Sequence, residues 1–168
     1  ANYTAADIKA LRERTGAGMM DVKKALDEAN GDAEKAIEII RIKGLKGATK
    51  REGRSTAEGL VAAKVDGNVG VMIEINCETD FVAKNADFIS FAESVAKIAL
   101  DKKPAGIDEL KALSYNNDIT VADKFMEQVG KIGEKIDIGF YSLVNAAQVE
   151  GYIHPGNRLA VAVGFNKK

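Results

Sequence analysis

The feature that most constrains this chain is a change of hydrophobic period between Val69 and Ala99. Val69-Gly-Val-Met-Ile-Glu-Ile75 alternates apolar and mixed positions, the two-residue period of a half-buried strand. Phe88, Phe91, Ala92, Val95, Ile98 and Ala99 repeat with a helical period instead, which predicts an amphipathic helix from about Asn85 to Leu100. Between the two, Asn76-Cys-Glu-Thr-Asp-Phe-Val-Ala-Lys-Asn85 must turn a strand into a helix. Thr79 and Asp80 both suit an N-cap, because each side chain can accept from a free backbone N–H, so a short helical turn is predicted there. Phe81 then sits at the tip of the corner, followed by Val82. Two readings of it stand: Phe81 folds back into the core with Asp80 only a cap, or Phe81 points outward as a wedge whose angle Asp80 fixes. Spacing alone favours the first.

The rest of the chain fits around that corner. Gly59–Val65 and Val69–Asn76 are β-rich runs joined through Asp66-Gly67-Asn68, a hairpin signal that predicts an antiparallel pair. Upstream, Thr4 to Asp7 resembles a capping box, and Ile8 and Leu11 open a helix running to about Arg14. Met19, Val22, Ala25, Leu26 and Ala29 define a second helix closed by Asn30-Gly31. Asp32 caps a third with Ala36, Ile37 and Ile40 on its buried face, and Gly44 is expected to stop it. Downstream, a short helix is predicted over Ile107–Leu113. Thr120 and Asp123 open another helix that ends at Gly133, and strands follow at Ile136–Phe140, Val149–Ile153 and Arg158–Phe165. Gly139 hints at a bulge or a close backbone approach. The pattern predicts an α+β protein: a three-helix bundle over 1–43, a basic Gly-rich linker over 44–56, and over 57–168 a mainly antiparallel sheet with helices on one face.

Charge and composition narrow the function. The formal net charge is -1, which argues against whole-protein attraction to nucleic acid or to an anionic membrane surface. Residues 1–54 carry 12 Lys and Arg against 9 Asp and Glu, whereas 55–168 carry 12 against 16, so a mildly basic front precedes an acidic body. Arg41, Lys43, Lys46, Lys50, Arg51 and Arg54 face only Glu52, and exposed linker charge is a commoner cause of such a run than a nucleic-acid site. No apolar run approaches the roughly 20 residues that span a bilayer, and the amino-terminal residues lack a signal-like layout, so a cytoplasmic protein without membrane contact is expected. The lone Cys77 fits a reducing compartment and reads as a small buried apolar residue. His154 is the single histidine, and neither Gly44-Leu-Lys-Gly47 nor Gly130-Lys-Ile-Gly133 has the spacing of a phosphate cradle. No catalytic group, metal site or cofactor of its own is therefore expected. The expectation is action by binding, with Met19, Met20 and Phe81 as apolar anchors.

Three segments carry a resemblance. Thr15-Gly-Ala-Gly-Met-Met-Asp21 with Lys23-Lys-Ala-Leu26, Asn76 to Asn85, and Ile132-Gly-Glu-Lys135 look like signatures of the bacterial translation elongation factor Ts family, and the similarity runs across essentially the whole chain. The resemblance implies a guanine-nucleotide exchange factor for elongation factor Tu, met in its GDP-bound and nucleotide-free forms, with an amino-terminal bundle similar to ubiquitin-associated domains. It implies that the corner, Asp80 and Phe81 with Thr79 and Val82 beside them, inserts into the GTPase domain of the partner and disturbs its magnesium site. It further implies supporting contacts at Ile132, Gly133 and His154, and contacts of the bundle at Arg12, Met19, Met20, Lys23 and Arg51.

Two departures accompany it. Gly139 and Phe140 stand where the family commonly has paired arginines. Many members also continue into a second core subdomain, a helical hairpin and a carboxy-terminal helix, while this sequence stops at Lys168. Weaker binding, or compensation by homodimerisation, is expected with wedge action retained. Three other readings compete: an adaptor that binds protein partners through the bundle without affecting nucleotide, an RNA binder that uses Arg41–Arg54, and, behind both, an enzyme that pairs Cys77 with His154.

Overall fold

The computed structural model describes residues 2–167; Ala1 and Lys168, the outer ends of the expected bundle and sheet, lie outside the described residues. Residues 1–54 and 123–134 form one compact unit, and 55–122 with 135–168 form the other.

In the first unit, α1 (Ala5–Thr15) begins with the expected capping box. Thr4 Oγ1 accepts from the Asp7 N–H, while Asp7 Oδ2 accepts from the Thr4 N–H at 2.7 Å. Helix α2 (Met19–Glu28) ends where Asn30 and Gly31 both adopt positive φ, and the Gly31 N–H returns to Leu26 O at 2.8 Å. Leu11, Val22, Ala25, Leu26, Ala29 and Ala36 are buried together as a small core, with Ile37 and Ile40 against it. Met19, which the spacing placed on the apolar stripe, is 56% exposed because it opens α2 ahead of the first core position, Val22.

Helix α3 (Ala33–Arg51) corrects the sequence reading most clearly. Asp32 caps it as expected, accepting from the Lys35 N–H, but Gly44 does not stop it, and most of the expected linker is helix. A mid-helix glycine costs only about 1 kcal/mol, which other contacts can offset. One such contact is local and one is not: Arg51 donates from Nη1 to Gly47 O, one turn back in the same helix, at 2.8 Å, and from Nε to Gly133 O at 3.1 Å.

The second unit is built on an antiparallel sheet in the order β1 (Glu58–Asp66), β2 (Val69–Cys77), β3 (Asp137–Asn145). Asp66 pairs with Val69 across the Gly67-Asn68 turn. The β2–β3 register shifts between Glu74 and Ile75, skipping Gly139. A Cβ on Gly139 would meet the Asn76 side chain, so the glycine serves as bulge and close approach together. Leu60, Ala62, Val71, Ile73, Ile75 and Cys77 are buried, and α5 (Ala86–Lys102) lies against β1 and β2 with Phe88, Ala92, Val95, Ala96 and Ala99 buried. Between β2 and α5 lies α4 (Asp80–Ala83), and α6 (Ile107–Ala112) follows α5. Helix α7 (Val121–Ile132) begins in this unit and continues in the first.

A separate ribbon, β4 (Gln148–Ile153) paired with β5 (Ala160–Phe165), lies against the sheet. Glycines let it approach: a Cβ on Gly70 would sit 2.7 Å from Val149, and one on Gly151 would sit 2.9 Å from Val65. Strand β5 starts at Ala160 rather than Arg158, because the turn is closed by the His154 N–H bonding to Leu159 O while Arg158 pairs with Glu58 at 2.9 Å.

Candidate functional site

The corner is assembled by short-range bonds. Strand β2 ends at buried Cys77, whose thiol donates to Thr79 O at 3.2 Å. Glu78 Oε1 accepts from the Lys135 N–H at 2.7 Å, which ties the corner to the segment entering β3. Thr79 is the N-cap of α4, its hydroxyl 3.5 Å from the Val82 N–H, and the turn closes through Ala83 N–H to Thr79 O and Lys84 N–H to Asp80 O. Asn85 then caps α5, accepting from the Asp87 N–H at 2.8 Å. Two caps six residues apart fix both ends of the corner.

On this base Asp80 accepts from Lys84 Nζ at 2.7 Å, and that ammonium holds the Asp80 carboxyl below its ordinary value of 3.8. The pair is exposed, so its contribution to stability is small. Phe81 is 83% exposed. The reading that spacing favoured, with the ring folded back into the core, is overturned: a single turn of helix aims Phe81 at solvent while Val82 stays half-buried.

The remaining candidate residues fall in both units. In the second, His154 stands exposed in the turn after β4, with Nδ1 2.9 Å from the Tyr152 hydroxyl. In the first, Arg12 is exposed in the last turn of α1, and Met19, Met20 and Lys23 are exposed at the start of α2, the methionines at 56% and 61%. Arg51, Ile132 and Gly133 meet through the Arg51–Gly133 bond where α7 ends in a left-handed glycine of φ 79°. Arg51 thus places a cation at a helix C-terminus, which favours it electrostatically. Sequence reasoning passed over Lys84 and Tyr152. The signal was present for each: Lys84 stands four residues beyond Asp80, one helical turn, and Tyr152 two residues before His154, one strand repeat.

These features define an α+β protein with an ordered strand-to-helix corner carrying an outward aromatic ring and, among the described residues, no cluster of His, Cys, Asp and Glu able to hold a metal ion. No helix among them is long and apolar enough to cross a membrane. Comparison with known proteins gives the particular family. The family model described as Elongation factor TS matches residues 78–168. Elongation factor Ts of Paenarthrobacter aurescens (strain TC1) is 64% identical over 154 residues, covering 92% of this chain and 55% of that protein. Elongation factor Ts of Porphyromonas gingivalis (strain ATCC BAA-308 / W83) is 46% identical over 164 residues, covering 98% and 60%. The chain belongs to the elongation factor Ts family. It spans little more than half the length of these relatives.

Proposed function

We propose that the chain is a cytoplasmic guanine-nucleotide exchange factor that promotes GDP release from elongation factor Tu during translation elongation. It acts by binding and needs no cofactor of its own. The observation that carries this reading is the 83% exposure of Phe81 on a corner capped at both ends. The ring enters the GTPase domain of the partner, Asp80 orients the corner, and the surroundings of the bound magnesium ion shift. Magnesium between protein and phosphates demands near-octahedral geometry, so a small displacement weakens GDP disproportionately. Exchange follows by linkage: a factor that binds nucleotide-free Tu more tightly than the GDP form must weaken GDP by the same ratio. Exposed Met19 and Met20, with Arg12 and Lys23, supply adaptable contact from the bundle.

The test is release of fluorescent GDP from Tu in the presence of excess unlabelled GDP. Addition of this chain should accelerate release, and Phe81→Ala should remove most of the acceleration. A rate unchanged by the wild-type chain would leave an adaptor role in its place.

A further inference from the structure

The turn after β4 carries the chain's single histidine, and its backbone is pinned. Pro155 disfavours helical backbone at His154. The His154 N–H donates to Leu159 O at 2.8 Å, and its carbonyl accepts from the Asn157 N–H at 3.1 Å. Asn157, at φ 56°, offers its own carbonyl to the Val61 N–H at 2.8 Å, which fastens the turn to β1. The imidazole is held as well: the Tyr152 hydroxyl lies 2.9 Å from Nδ1, with the rings edge to face and their centroids 6.0 Å apart. Both residues are exposed, so the pair is displayed on the surface.

We propose that Tyr152 is a positioning residue that fixes neutral His154 as the Nε2–H tautomer, so that the ring presents an N–H donor to an acceptor oxygen on the protein partner. The direction of the bond follows from chemistry. A phenol O–H donates well, while its oxygen accepts poorly because a lone pair is drawn into the ring. The unprotonated nitrogen of a neutral imidazole is a strong acceptor. Tyr152 therefore donates to Nδ1, the ring proton resides on Nε2, and Nε2 is the nitrogen left for a partner. The identity of that partner rests on the exchange reading above; the tautomer does not.

One histidine makes the test direct. Two-bond proton–nitrogen correlation spectra of the 15N-labelled chain, recorded at about pH 8.5 where imidazole is neutral, contain a single imidazole pattern. The wild type should show Nε2 protonated, and in Tyr152→Phe the ratio of Nε2–H to Nδ1–H should fall roughly three- to tenfold, the scale of one hydrogen bond. A dominant Nδ1–H form in the wild type, or a ratio unmoved by Tyr152→Phe, overturns the proposal. In GDP release from Tu, Tyr152→Phe should lower exchange efficiency by a similar factor and cause no further loss when added to His154→Ala. Equal additional loss in the double variant would show that Tyr152 acts independently of the imidazole and overturn the positioning role. If the wild-type chain fails to accelerate GDP release, the exchange reading falls together with the partner half of this proposal, while the spectra still decide the tautomer.

Discussion

Removing the ring at residue 81 separates action on a partner from action on the fold. Phe81 is 83% exposed, and an aromatic side chain buries about 150–250 Å² in a full contact, so roughly 120–200 Å² remains for a partner to cover. At about 25 cal/mol per Å² this is roughly 3–5 kcal/mol gross. Ordering the side chain and imperfect desolvation reduce it to about 2–3 kcal/mol. With 1.4 kcal/mol per factor of ten, Phe81→Ala should slow stimulated GDP release by roughly 30- to 150-fold. The effect on folding should stay within about 0.5 kcal/mol, because the side chain leaves little packing behind. Stopped-flow release of fluorescent GDP gives the first quantity, and thermal unfolding of the free variant gives the second. Asp80→Ala, which also breaks the exposed pair with Lys84, should slow exchange less than Phe81→Ala with a similarly small stability change. Unchanged exchange in both variants beside an active wild type would remove the corner from the mechanism.

Gly59→Ala should destabilise the second unit by roughly 1–3 kcal/mol, read as a lowered urea midpoint, because its Cβ would lie 2.5 Å from Ile75 O and 2.9 Å from Asn76 Cα, both backbone atoms. Thr79→Ala removes the cap of α4; the bond is long at 3.5 Å, so the loss should be near roughly 0.5 kcal/mol, seen as faster amide exchange at Val82. Asp7 is held below 3.8 chiefly by the Thr4 N–H, and Asp32 by the Lys35 N–H. Their folded-state values lie below the unfolded ones, so their stabilisation is complete above the unfolded value and is lost as pH falls through the folded one. Asp7→Asn should accordingly flatten the fall in thermal midpoint between roughly pH 5 and 2.

What the sequence made legible is what is decided within a few residues. The Thr4–Asp7 capping box, the left-handed Asn30-Gly31 exit and the Asp66–Val69 hairpin all depend on groups that bond or turn within a few residues, whereas the Gly139 bulge was signalled only by the glycine itself, its crowding partner Asn76 lying on β2. The misread end of α3 depends on a residue 82 positions away, because Gly133 supplies the carbonyl that Arg51 reaches, and no local pattern announces that bond. Phe81 was illegible for a different reason. Burial is the ordinary fate of an aromatic side chain, and spacing alone favoured it here. Only the resemblance of Asn76–Asn85 to a family signature pointed outward, and the structure places the ring in solvent.

An exposed aromatic ring is useful to a binding protein only if the backbone beneath it is already in place, because ordering a loose loop on binding would consume much of what the ring contributes. The corner meets that condition from several directions. Cys77 and Thr79 bond within it, Lys135 holds Glu78 from the segment entering β3, Asn85 begins α5 immediately after it, and α4 rests against β1 and β2. None of those bonds involves the Phe81 ring. Base and tip are therefore separable: the sheet and the two caps set where residue 81 stands, and the action on a partner proposed for its side chain can be removed without touching the fold.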